Sequence, residues 1–267
     1  MDAIPLGFAL FLFELAVGGI VVTTALDWDG EVSLGFLFLN AVFLVLFAAG
    51  AVWLRLVLPA ERLVPYPVAV EWVGAEPAWW IAFTVLAAVQ TVALRLERRL
   101  VGRVAGTLSA AVGVGALMVS AAAYRPPAVP GPILALSLLA GALALGTVWS
   151  GMMLGHWYLV TPRLAPRPLL RLTGALVAVL AGQALLAGGQ AVAGQVPAVL
   201  TASLGWLVWL RLGVGVAFPL ALCFMIWRTA RVRSMMSATG LLYIALGAIL
   251  AGEIMAKALF FIGATPI

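Results

Sequence analysis

Two charged residues interrupt the last apolar stretch of this chain. Residues 237–267 read SATGLLYIALGAILAGEIMAKALFFIGATPI and hold Glu253 and Lys257, four positions apart. On a helix that spacing puts both on one face, with the acid N-terminal to the base, the favourable order. At about 1.5 Å per residue the stretch is long enough to cross a bilayer. A charge at membrane depth costs about 3 kcal/mol even on lenient insertion scales. A chain tolerates that where charges pair, face protein or handle a polar substrate. Two readings follow: a structural ion pair that locks helices, or a site that handles protons or a quinone. Glu14, Gln183, Arg211 and His156 also lie inside apolar stretches and are candidates for the same chemistry.

Composition narrows the class. The chain has 267 residues, is 65% hydrophobic and only 9% charged, with a mean hydropathy of +1.17. No soluble domain of this size has that balance. The expectation is all-α, one polytopic membrane domain over 1–267 in contact with membrane lipids. The net charge of +5 resides in short arginine clusters between apolar spans, which set orientation and do not imply nucleic acid. Met1-Asp2-Ala3 lacks a basic leader region, so the first span reads as uncleaved. With Cys223 the only cysteine, this chain alone holds no disulfide, iron–sulfur cluster or thiolate metal site. With His156 the only histidine, it cannot supply the histidine pair of most membrane b-type cytochromes. No metal site, haem or nucleotide-binding glycine loop is expected. A quinone is the one redox partner left.

Eight spans emerge, at about 4–26, 33–58, 79–94, 104–124, 131–160, 169–192, 204–227 and 237–267. Residues 59–77 read as the longest polar loop, with room for a short interfacial helix, and Trp79 and Trp80 as headgroup anchors opening span three. Span four, rich in Ala, Gly and Ser, is expected to pack centrally. Span five is long enough to require tilt or a break, and Pro219 predicts a kink in span seven. Ten arginines fall in the loops after spans three, five and seven, and only Arg55, Arg62 and Arg125 lie on the other side. The positive-inside rule then places the N-terminus and the C-terminus both outside. The acidic segment Asp27-Trp28-Asp29-Gly30-Glu31 must lie inside with the arginines.

Orientation converts position into depth. Glu14 comes out near the midplane, about 15 Å in, and Arg211 about 10 Å from the outer end. Gln183, Glu253 and Lys257 fall in the outer half, with Lys257 close enough to the surface to snorkel. Five polar groups from four spans are thus expected to converge there. An acid, a base and an amide together are what quinol oxidation needs, since it takes a donor, an acceptor and a carboxylate to receive protons. The alternative is that Arg211 pairs with Glu253 or Glu14 and simply holds the bundle together. His156, beside Trp157 and Tyr158, lies toward the inner side. It reads as an interface histidine, with a proton-path or quinone role as the alternative.

Three segments carry a family likeness. AGEIMAKALFF, residues 251–261, resembles the last helix of the dimethyl sulfoxide reductase membrane-anchor family: A-G-E, two apolar residues, a small one, a basic one and an aromatic ending. WLRLGV, residues 209–214, is similar to the W-R opening of that family's penultimate helix. ELAVGG, residues 14–19, resembles the double glycine of its first helix. The family belongs with the polysulfide-reductase and nitrite-reductase-type integral subunits. The resemblance implies an eight-helix anchor without haem that exchanges electrons between a quinone (menaquinone or ubiquinone) and an attached iron–sulfur subunit, beside a catalytic subunit. It points to Glu253, Lys257 and Arg211. The family's histidine after the second helix has no counterpart in Arg55-Leu56-Val57-Leu58-Pro59. Other functions compatible with the residues are a secondary transporter or proton-conducting protein, and a purely structural subunit of a respiratory or photosynthetic complex. Rich Arg, Ala and Gly usage with a single lysine suits a high-GC prokaryote, and hence its cytoplasmic membrane.

Overall fold

The computed structural model describes residues 4–127, 129–192 and 205–264, apart from the side chains of residues 61 and 62. Among them are eight helices long and apolar enough to cross a membrane. In chain order these are α1 (Ile4–Asp29), α2 (Leu34–Val57), α4 (Val70–Arg95), α5 (Arg99–Ala123), α6 (Gly131–Val160), α7 (Arg167–Val192), α8 (Gly205–Arg231) and α9 (Met235–Gly263). A one-turn helix α3 (Ala60–Leu63) lies in the loop after α2. The first residue of the expected span seven, and residues 265–267 of span eight, lie outside the described residues. An all-helical membrane protein follows from the sequence directly, because only helices and closed barrels satisfy every backbone group in lipid.

The central helix is α1. It is apolar on every side and buried along most of its length, the pattern of a helix surrounded by others. It packs on α2, α5, α6 and α9. Span four was expected in this place, but α5 turns only one face inward. Its Gly and Ala residues approach α4 and α1, while Leu100, Val104 and Leu108 are exposed. Small residues there permit close contact without requiring it on all sides. At the crossing of α1 and α6, Gly18 and Gly146 bring the backbones into contact; a methyl on Gly18 would collide with the Ala142 carbonyl. This is the small-residue packing that drives helix association in lipid.

The structure sharpens the expectations for spans five and seven and revises two for span three. Of tilt or a break, the break is absent: span five is one unbroken 30-residue helix, which leaves tilt to accommodate its length. The kink expected at Pro219 is a π-helical turn, Gly213–Ala217, immediately before it. Proline lacks an N–H, and its ring crowds the carbonyl four residues back, here Gly215, so a widened turn relieves the clash. The third span begins at Val70, nine residues before Trp79, and Pro77 lies inside the helix. Arg55 explains how. Pro77 cannot donate to the Val73 carbonyl, and Arg55 Nη2 donates to it instead at 2.8 Å. Trp80 is not an interface anchor; it is buried, stacked on Phe13 at 4.1 Å between centroids, and its indole donates to Ser120 Oγ.

The acidic segment meets the arginine clusters, as its position required. Arg103 Nη2 donates to the Asp27 carbonyl, and its guanidinium lies over the Trp28 ring at 4.9 Å. Arg171 contacts Asp29 and Glu31. One end of the bundle thus gathers the three arginine clusters, and the acidic segment partly neutralises them.

Candidate functional site

Four helices contribute to one buried polar cluster near the other end. Lys257 Nζ on α9 lies 2.7 Å from Glu14 Oε2 on α1. Arg211 Nη2 on α8 donates to Glu253 Oε1 at 2.8 Å, and Gln183 Nε2 on α7 donates to the same oxygen at 2.7 Å. The Lys257–Glu253 pair along α9 is looser, at 3.7 Å. All five side chains are buried. With two acids and two bases, the cluster is neutral when all four are ionised. That balance is what makes four charges tolerable away from water.

Glycines shape the site. On α6, a methyl added to Gly141 would sit 2.9 Å from Glu253 Oε2 and 3.2 Å from Glu14 Oε2, so this glycine lets two carboxylates lie against the helix. Gly215 and Gly252 bring α8 and α9 together, and a methyl on Gly215 would come within 2.9 Å of Arg211 Nη1. The π turn begins two residues after Arg211. These glycines escaped the sequence reading. Their signal was present in hindsight: Gly252 adjoins Glu253, and Gly215 is four residues from Arg211.

Two spaces adjoin the cluster. A cavity of about 20 Å³ lies between α6, α7, α8 and α9, lined by Ser137, Gln183, Gln190, Arg211, Glu253 and Lys257 among others. It is of water size, too small for a ring. A groove of about 230 Å³ runs between α1 and α9 on the other side of Lys257.

Lys257 does not snorkel. It is 5% exposed and turned to Glu14, because a carboxylate within hydrogen-bonding distance holds an ammonium better than a partly wetted interface reached by a stretched stem. His156, near the opposite end of α6, is exposed and takes no part in the cluster. Asn40 and Gln90 serve separate sets of hydrogen bonds away from the cluster. Asn40 Nδ2 donates to Thr23 Oγ1 and Ser150 Oγ, Trp149 Nε1 donates to Asn40 Oδ1, and Gln90 Nε2 donates to Thr24 Oγ1.

The sequence reading missed a second buried ion pair altogether. Glu76 accepts from Arg55 Nε at 2.6 Å, from Tyr124 OH at 2.6 Å and from Ser120 Oγ at 2.5 Å. Glu76 had been assigned to the polar loop. A carboxylate with three donors is locked in place, which suits a structural role.

Among the described residues, no group of His, Cys, Asp and Glu could hold a metal ion. The fold and the cluster together define a multi-pass helical membrane protein with a buried, charge-balanced site. No protein-family model matches the chain, and neither a curated protein nor a solved structure matches it.

Proposed function

We propose that this chain is the membrane-anchor, quinone-interacting subunit of a multisubunit electron-transfer oxidoreductase, without haem of its own, in a prokaryotic cytoplasmic membrane. The observation that carries the reading is the meeting of Glu14, Gln183, Arg211, Glu253 and Lys257 from four helices within hydrogen-bonding reach. The likeness of residues 251–261 and 209–214 to the dimethyl sulfoxide reductase anchors supports it, since those segments supply Arg211, Glu253 and Lys257.

The residue set fits a quinone head group. Lys257 and Arg211 supply fixed donors. Glu14 Oε1 receives no hydrogen bond among the described residues and is an acceptor able to take a proton. A bound quinone would supply two-electron, two-proton redox chemistry, with the electrons passing to an iron–sulfur partner. In this chain Glu14 receives a proton, Lys257 orients the ring oxygen, and Arg211 with Gln183 holds Glu253 in place beside them. A proton-conducting reading is less well supported. On α1, residues 15–22 carry no polar side chain, which separates Glu14 from Thr23 by about 13 Å along the helix.

The test is purification of the tagged chain from native membranes in mild detergent, followed by quinol-oxidation assays. An iron–sulfur protein and a catalytic subunit should copurify, and Glu253→Gln should reduce turnover about tenfold or more. A chain that purifies alone and works alone, or full turnover in Glu253→Gln, would sink the reading.

A further inference from the structure

The cavity between α6, α7, α8 and α9 has the size and the walls of a water site. Its volume of about 20 Å³ gives room for one water. Gln183, Arg211, Glu253 and Lys257 all line it, so four side chains of the cluster meet in one small space. Leu134, Leu138 and Phe260 form part of the remaining wall, and all three are buried. A space of this size stays dry when its walls are apolar. It takes water when two or more polar groups converge on it.

One acceptor in this wall calls for a donor. Gln183 Nε2 donates to Glu253 Oε1 at 2.7 Å. An ionised carboxylate accepts and cannot donate, so the amide can be turned only one way, with Oε1 away from Glu253. That Oε1 is buried and receives no hydrogen bond among the described residues. Buried amide oxygens nearly always have a partner, from the protein or from ordered water. Lys257 supplies the complementary donor. Its ammonium carries three N–H groups. Glu14 and Glu253, at 2.7 and 3.7 Å from Nζ, account for two, which leaves a third for a water in the cavity that Lys257 lines. The Glu76 site shows the dry alternative. There both carboxylate oxygens are taken, by Arg55, Ser120 and Tyr124.

We propose that the cavity binds one ordered water, which accepts from Lys257 Nζ and donates to Gln183 Oε1. The water closes a hydrogen-bonded path from Glu14 on α1, through Lys257 on α9, to Gln183 on α7. A bridging water is nearly as good a partner as a direct hydrogen bond. It can also rotate where ion-paired side chains cannot, so it gives the cluster a mobile hydrogen-bonding group. The cluster is thereby a hydrated site and not a dry lock between helices. This holds with or without a quinone, because it needs only the cluster.

Lys257 is the only lysine of the chain, so lysine carrying the heavy nitrogen isotope gives a single-site probe. The experiment is water-edited solid-state NMR of the full chain in lipid bilayers, in which magnetisation passes from water protons to nitrogen. At short mixing times the Lys257 ammonium should gain signal several-fold faster than the backbone amide of the same residue, which lies within α9. Ala256→Val adds methyl groups to the cavity wall without removing an ion pair, and should bring the ammonium down to the backbone level. Ser137→Val, from the α6 wall, is a second filling change. Ala258→Val alters the groove on the other side of Lys257 and should change nothing. Variants are compared only where their thermal unfolding matches the parent. Transfer to the ammonium no faster than to the backbone amide in the parent would overturn the proposal. So would fast transfer that survives both filling changes, or that Ala258→Val alone removes. No quinone is present in any of these measurements, so their failure leaves the quinone reading to the turnover assay.

Discussion

Lys257 is near enough to the end of its helix to reach the lipid–water boundary, yet its ammonium points inward to Glu14. Its neighbour four residues back, Glu253, is instead held by Arg211 and Gln183. Removing one partner from such an arrangement leaves an uncompensated charge, which costs about 3–5 kcal/mol. Lys257→Met should therefore destabilise the protein by that order in detergent unfolding. The double variant Lys257→Met with Glu14→Gln should recover most of the loss, because charge balance returns. Arg55 offers a second test at this scale. It bonds Glu76 and also the Val73 carbonyl that Pro77 leaves without a donor. Arg55→Met should be less damaging by about 1 kcal/mol in a Pro77→Ala background, where the restored N–H can take that carbonyl. Equal loss in both backgrounds would show that Arg55 acts through Glu76 alone.

At the scale of elements, the crossing of α1 and α6 brings Glu14 to Gly141, against which Glu253 of α9 also lies. Gly18 and Gly146 have no room for a methyl, whereas Gly182 on α7 has nothing within 4 Å of one. Gly18→Ala should sharply reduce folded yield. Gly182→Ala should be neutral or slightly stabilising, since alanine is favoured over glycine in a helix by up to about 1 kcal/mol. Comparable yields, measured by size-exclusion chromatography, would contradict the close crossing. The helix ends make a smaller prediction. Glu97, just past α4, has φ 58°, a left-handed position that suits glycine. Glu97→Gly should raise the melting temperature modestly, by the order of 0.5–1 kcal/mol in stability.

For the whole molecule, the prediction concerns which end faces the cytoplasm. Arg103 and Arg171 meet the acidic segment at one end, and other arginines of the three clusters are exposed there. The positive-inside rule predicts that this end faces the cytoplasm and that both termini face outside. Cysteines placed at Glu97 or Arg163 should react with an impermeant thiol reagent only in inverted vesicles, and one at Gly263 only in right-side-out vesicles. The native Cys223 is buried and should remain silent. The reverse pattern would place the charge cluster in the inner leaflet and remove the argument for an outward-facing site.

Eight spans, and the expectation that Glu14, Gln183, Arg211, Glu253 and Lys257 share a depth, were legible from the sequence alone. Apolar length and charge position are one-dimensional quantities that a bilayer turns directly into geometry. Which charge pairs with which was only partly legible: Arg211 with Glu253 was one of the two pairings the sequence offered for Arg211, and Lys257 with Glu14 was not foreseen. The i,i+4 spacing suggested Glu253 with Lys257, but Glu14 on α1 comes closer to Lys257 and Arg211 on α8 comes closer to Glu253, and only packing sets those distances. The role of Pro77 as a residue inside a helix was hidden for the same reason, since its compensation comes from Arg55 on α2. So was the central place of α1: a residue's neighbours along the chain record its depth, while its partners across the bundle depend on how small residues let the helices approach.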